Sequence, residues 1–181
     1  GDGQLDVDEI ACDSDPLDAT SISLDTDADG IPDCIDTDDD NDGYDDTNDA
    51  FPLDKDEWID TDSDGIGNNA DTDDDNDGFS DQDEITCDSD PLDASSKPLD
   101  TDADGIPDCI DTDDDGDGYE DTNDAFPLDK EEWIDTDSDG IGNNADTDDD
   151  NDGFSDQDEV TCGSDPLDAS SKPLDTDADG I

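Results

Sequence analysis

A 75-residue unit occurs twice in this chain and constrains its fold more than any other feature. Residues 25–99 and 100–174 differ at five positions only: Asn41 against Gly116, Asp45 against Glu120, Asp56 against Glu131, Ile85 against Val160, and Asp88 against Gly163. Residues 1–24 match the end of a unit, and residues 175–181 begin another. The sequence therefore reads as a window from a longer array, with boundaries at 1–24, 25–99, 100–174 and 175–181. Self-similarity at a fixed period points to a linear repeat protein, not to one compact domain.

Composition says what cannot hold such a unit together. Of 181 residues, 67 are Asp or Glu and four are Lys; Arg and His are absent, the net charge is −63, and 26% of residues are apolar. Ordering a backbone costs roughly 1–2 kcal/mol per residue, and this apolar content does not offset that cost through a hydrophobic core. Either the chain is a solvated acidic spacer, or something other than apolar burial orders it. Four lysines do not neutralise a polyanion, so nucleic acid is excluded as a partner. Anionic membrane surfaces are excluded on the same ground. No apolar run approaches the ~20 residues that membrane insertion needs. The lack of His removes Ser-His-Asp and Cys-His catalysis and the usual zinc ligand sets. Carboxylate catalysis would need contrasting acids in a shaped pocket, which a chain this poor in apolar residues does not build, so no enzyme is expected.

The glycines argue against the spacer. Ten of the fifteen close the same short string, D-x-D-x-D-G: Gly30, Gly43, Gly65, Gly78, Gly105, Gly118, Gly140, Gly153 and Gly180, with Gly3 ending a string cut by the start of the sequence. Calcium takes six to eight oxygens at about 2.3–2.6 Å, and a twelve-residue loop supplies them from positions one, three, five, seven (a main-chain carbonyl), nine and twelve, turning sharply at a glycine at position six. Eight complete loops fit that spacing. In the first unit they are Asp25, Asp27, Asp29, Ile31, Asp33 and Asp36; Asp38, Asp40, Asp42, Tyr44, Asp46 and Asp49; Asp60, Asp62, Asp64, Ile66, Asn68 and Asp71; and Asp73, Asp75, Asp77, Phe79, Asp81 and Glu84. In the second they are Asp100, Asp102, Asp104, Ile106, Asp108 and Asp111; Asp113, Asp115, Asp117, Tyr119, Asp121 and Asp124; Asp135, Asp137, Asp139, Ile141, Asn143 and Asp146; and Asp148, Asp150, Asp152, Phe154, Asp156 and Glu159. The expected ion is Ca2+, at least one and up to two per loop. Magnesium fits less well because it demands a near-ideal octahedron and keeps its waters.

These loops are not helix–loop–helix hands. Their glycines are spaced 13, 22, 13 and 27 residues apart, and Asp36 closes one loop two residues before Asp38 opens the next. The apolar residue stands at position seven, not eight. Successive loops must pack on each other directly.

The stretch from Asp25 to Glu84, with its D-x-D-x-D-G-x-x-D-x-x-D cores, its DAFPLD segment and its DTDSDGIGNNADTDDD segment, resembles the thrombospondin type 3 repeat as found in bacterial surface and secreted proteins. The resemblance implies an irregular, loop-dominated, calcium-stabilised array with very little helix or strand and no conventional hydrophobic core. It also implies one or two ions per motif, disulfides between neighbouring motifs, and an extracellular or cell-surface location. Asn68 and Asn143 depart from the acid at position nine, which marks those loops as weaker sites.

Five cysteines, Cys12, Cys34, Cys87, Cys109 and Cys162, lie 22, 53, 22 and 53 residues apart. The short register pairs Cys12 with Cys34 and Cys87 with Cys109, and leaves Cys162 for a partner beyond the sequence. The long register pairs Cys34 with Cys87 and Cys109 with Cys162. The short one is preferred, and disulfides imply an oxidising compartment.

The few apolar residues lie between loops. Phe51, Leu53, Trp58 and Ile59 are expected to cluster, with a helical turn near 54–58, and residues 81–86 are expected to form a short helix; Phe126, Leu128, Trp133 and Ile134 are the counterparts. Ser95–Pro98 and Ser170–Pro173 read as joints. The function expected from this pattern is a calcium-rigidified stalk, spacer or fibre, self-associated or one long chain. The alternatives are an adhesin presenting the Trp inserts, or a calcium-buffering or mineral-nucleating surface.

Overall fold

A computed structural model describes residues 3–174; residues 1–2 and the start of a further unit at 175–181 lie outside the described residues. The chain divides into two units, Gly1–Lys97 and Pro98–Ile181, and the division falls inside the Ser95–Pro98 segment.

Regular structure is scarce because Asp, Gly and Asn favour turns over ladders. Unit 1 holds two six-residue helices, α1 (Asp6–Ala11) and α2 (Asp81–Thr86). Among its described residues unit 2 holds one 3-10 turn, Asp121–Asn123, and α3 (Asp156–Cys162). There is no β-strand among the described residues. α2 forms where the sequence predicts it. Ser80 caps it, accepting from the Asp83 N–H at 3.2 Å and donating back to Asp83 Oδ2 at 2.7 Å, and acids in the first turn suit the helix dipole. The predicted helical turn at 54–58 is instead two successive tight turns. Asp54 N–H donates to Phe51 O and Glu57 N–H to Asp54 O, with no helix continuing from either.

No hydrophobic side chain is buried among the described residues; Leu53 and Ile59 are about half exposed. The predicted four-residue apolar cluster is therefore replaced by something smaller. Trp58 stacks on Tyr44, its ring centre 5.4 Å away and nearly parallel, and Trp133 stacks on Tyr119 in the same way. Each stack ties the insert to the second loop of its unit. Acids take the interior instead: Glu84 and Glu159 are fully buried, as are Pro32 and Pro107. A fold whose most enclosed side chains are carboxylates is held by whatever compensates them.

Cys12 and Cys34 form a disulfide with Cα atoms 5.6 Å apart, which excludes the Cys34–Cys87 pairing. Cys87 and Cys109 each take part in a disulfide, and Cys162 is free and exposed. On the loop-entropy account a 22-residue closure stabilises by about 3 kcal/mol.

Candidate metal centres

Each loop is wound by its own aspartates. In the first, the Gly30 N–H donates to Asp25 Oδ2 at 3.2 Å, the Asp29 N–H to Asp27 Oδ1 at 2.9 Å, and the Ile31 N–H to Asp29 Oδ1 at 2.8 Å. The same bond from position six to position one recurs in all eight loops. A main-chain bond then closes each turn, as from the Asp33 N–H to Leu24 O at 2.9 Å. In the second and fourth loops of each unit this winding uses one oxygen of the carboxylates at positions three and five and leaves the other turned inward. Position six lies at φ 91° to 104° in these loops, conformations that a Cβ would strain.

Position four is also left-handed in every loop, at φ 53° to 69°, and is filled by Ala28, Asn41, Ser63, Asn76, Ala103, Gly116, Ser138 and Asn151. The Asn41→Gly116 difference between units thus falls where glycine is the least strained choice. Asn41 and Asn76 do more: their amides donate to Asp27 Oδ2 and, at 2.8 Å, to Asp62 Oδ2, each one loop back. These bonds staple neighbouring loops and orient position three of the earlier one. Burial would raise the Asp62 carboxyl, but the Asn76 amide and the Asp64 N–H hold it below the ordinary range. At Asp102, which faces Gly116, the Asp104 N–H alone does not offset desolvation and repulsion from Asp104 and Asp100, and the carboxyl is raised.

The carboxylates of positions one, three and five converge so that one oxygen from each lies within 4.8 Å of the others. Asp25–Asp27–Asp29, Asp38–Asp40–Asp42, Asp60–Asp62–Asp64, Asp73–Asp75–Asp77 and Asp100–Asp102–Asp104 are five such groups, and there are three more among the described residues. Asp27 Oδ2 and Asp62 Oδ2 have their asparagine donors, and Asp77 Oδ2 and Asp152 Oδ2 lie in ion-pair range of a lysine, but many of the inward oxygens accept no hydrogen bond. Among them are Asp25 Oδ1, Asp38 Oδ1, Asp40 Oδ2, Asp42 Oδ2, Asp75 Oδ2, Asp77 Oδ2, Asp115 Oδ2, Asp117 Oδ2, Asp150 Oδ2 and Asp152 Oδ2. Position twelve contributes Asp49 Oδ2, Asp124 Oδ2, Glu84 Oε2 and both oxygens of Glu159. Burial, then mutual repulsion, raises the Asp40, Asp75, Asp115, Asp150, Glu84 and Glu159 carboxyls. Buried acceptors without donors are costly unless a cation completes them, and hard oxygens in this number and crowding suit calcium.

Positions nine and twelve have further partners. Asp33 accepts from Thr26 N–H and Oγ1, both at 2.8 Å, and Asn68 bonds Thr61 N–H and Oγ1 at 3.0 and 2.8 Å. Asn143 treats Thr136 in the same way, and Asp108 treats Thr101. Asn68 and Asn143 are thus well suited to position nine, because the amide supplies both a donor and an acceptor there. Asp36 accepts from the N–H groups of the linking Thr37 and of Asp38, and Asp71 from those of Thr72 and Asp73, which joins consecutive turns.

In the second and fourth loops, position two is not Thr but Asp39, Asp74, Asp114 or Asp149. Each has an Oδ1 without a donor, and each carboxyl is pushed up to about 6 by burial and by repulsion from position nine. The sequence spacing alone does not single these acids out, although the alternation of Thr and Asp at position two carries the signal. Glu57 and Glu132 were likewise not expected. Both are buried, and their Oε2 atoms accept from the Asn69 and Asn144 N–H groups at 3.0 and 2.9 Å.

Residues 73–94 and 148–169 match the family model of the bacterial TSP3 repeat. These two segments are similar to the bacterial TSP3 repeat. Each matched segment spans the fourth loop of a 75-residue unit and the helix behind it, α2 or α3. TSP3 repeats are a calcium-binding family, in keeping with the donor set described above. Comparison with curated proteins returns no match. No helix among the described residues is long and apolar enough to cross a membrane.

Proposed function

We propose that the chain is an extracellular structural array in which Ca2+ supplies the ordering energy that a core would supply elsewhere. The observation that carries this reading is the set of buried carboxylate oxygens that accept no hydrogen bond, present in seven of the eight loops and densest in the second and fourth of each unit. One ion per loop would satisfy positions one, three, five, seven and twelve. Further ions would bind where Asp39, Asp74, Asp114 and Asp149 face position nine, so the count lies between one and two per loop. Eight dications would lower the net charge from −63 to −47, so the filled array stays soluble and strongly anionic. Disulfides and millimolar calcium both belong outside the cell, which supports a surface or secreted location. Such an array is suited to a stalk, spacer or fibre, and we assign it no catalytic role.

Calcium titration of the chelator-stripped chain by calorimetry, followed by circular dichroism, tests this. Uptake of at least eight ions with gain of order is expected; fewer than four, or uptake with no spectral change, would sink it.

Adhesion is the second reading, through the partly exposed Tyr44–Trp58 and Tyr119–Trp133 stacks. Loss of surface attachment in a Trp58→Ala, Trp133→Ala variant that keeps its calcium uptake would favour adhesion over a passive spacer.

A further inference from the structure

Two of the four lysines sit on calcium loops. The Lys97 ammonium donates to the main-chain oxygen of Asp77, lies 3.6 Å from Asp77 Oδ2, and stands 5.8 Å from the centre of the Phe79 ring. Unit 2 repeats the arrangement. Lys172 Nζ is 2.7 Å from Asp152 O, 3.4 Å from Asp152 Oδ2 and 5.8 Å from the Phe154 ring centre. Asp77 and Asp152 are position five of the fourth loop, and their side chains are fully buried. In both, Oδ1 accepts the position-seven N–H at 2.9 Å, so Oδ2 is the oxygen left for an ion. The lysine reaches it from 20 residues ahead in sequence, out of the Ser-Ser-Lys-Pro joint.

We propose that Lys97 and Lys172 are tethered cations that set the calcium affinity of the fourth loop in each unit, competing with the ion for Asp77 and Asp152. The inference rests on the loops being calcium sites and goes beyond that reading by making them unequal. While the loop is empty, the ammonium offsets the repulsion among Asp73, Asp75 and Asp77, which favours the empty form. Once an ion lies about 2.4 Å from Oδ2, it stands within about 6 Å of the ammonium. Repulsion between a single and a double charge at that distance, even at the dielectric of water, weakens binding about tenfold. Both effects act in one direction: the lysine lowers affinity at the fourth loop. By linkage, an ion entering the fourth loop loosens the lysine and frees the joint that carries it.

The test is a calcium titration of the full chain as wild type, as Lys97→Gln, Lys172→Gln and as Lys97→Arg, Lys172→Arg. Glutamine can still donate to the main-chain oxygen but carries no charge; arginine keeps the charge. The expected result is that two sites tighten about tenfold in the glutamine variant, the others are unchanged, and the arginine variant follows wild type. In parallel, the ε-methylene NMR signals of Lys97 and Lys172 shift on calcium addition while those of Lys55 and Lys130 stay in place. A glutamine isotherm that superposes on wild type, or two sites that weaken, overturns the inference and leaves the calcium reading standing. Wild type that takes up no calcium overturns both.

Discussion

Replacing Glu84 by glutamine will change stability in opposite directions with and without calcium. Glu84 closes the fourth loop of unit 1 and is fully buried, with Oε1 accepting from Ser89 Oγ at 3.2 Å and Oε2 facing no donor. Burial raises its carboxyl, and Asp75, Asp77 and Asp73 raise it further by repulsion. In the metal-free chain this is a charge buried without compensation. Glutamine removes that charge and offers an amide N–H to the surrounding oxygens, a gain of roughly 1–3 kcal/mol. In the calcium-bound chain the same change removes an anionic ligand from a buried dication. Breaking a buried ionic interaction by deleting one partner costs about 3–5 kcal/mol, which corresponds to an affinity loss of roughly a hundredfold to several thousandfold at this loop. Thermal unfolding in excess chelator and calorimetric calcium titration measure the two halves separately. The reasoning predicts a higher midpoint in chelator and one fewer tight site in calcium. A variant less stable than wild type in both conditions would show that Glu84 is held by the protein alone, and the account of its burial would be wrong.

Three other outcomes follow from the same geometry. Asp39, Asp74, Asp114 and Asp149 are raised to about 6 by burial and repulsion, against ~3.9 in an unfolded chain. A raised carboxyl contributes stability to the metal-free form that is full below about pH 4 and is lost as pH rises through about 6. The metal-free chain will therefore show more ordered circular dichroism at pH 5 than at pH 7.5, and a pH-independent spectrum over that range would count against it. Asp88 lies at φ 60°, where unit 2 has Gly163 at φ 80°. Asp88→Gly should raise the calcium-bound midpoint, by about 1 kcal/mol in stability, and a lower midpoint would contradict the strain argument. A Cβ on Gly67 would fall 2.0 Å from Glu57 Oε2. Gly67→Ala should displace Glu57 from the Asn69 N–H at a cost of roughly 1–3 kcal/mol, read as a lower melting temperature; an unchanged one would show that Glu57 is not a fixed part of the loop.

The architecture was legible because the ligand spacing and the fold are the same information here. Gly30 and its copies fix where each loop turns, and the 13-residue step from Gly30 to Gly43 leaves no room for a helix. The short helix expected at residues 81–86 forms there, and the structure adds its Ser80 cap and acidic first turn. What escaped was set by contacts between segments far apart in sequence. Nothing local to Trp58 says that it stacks on Tyr44 and not on Phe51 or Leu53. Glu57 and Lys97 likewise act on residues 12 and 20 positions away, through the backbone of Asn69 and the side chain of Asp77. Position nine looked like a ligand from its spacing alone. Its pairing with Thr26 or Thr61 appears only once the loop is closed, and the extra role of Asp39 at position two follows from the same closure.

The central claim is that calcium, in the place of a hydrophobic core, orders this chain. Small-angle scattering of the full chain with millimolar calcium and then with excess chelator tests it most directly. The account predicts that chelation raises the radius of gyration toward the roughly 45 Å of an unfolded chain of this length, limited by the disulfides, and that calcium restores the smaller value. A radius of gyration identical in calcium and in chelator would contradict it.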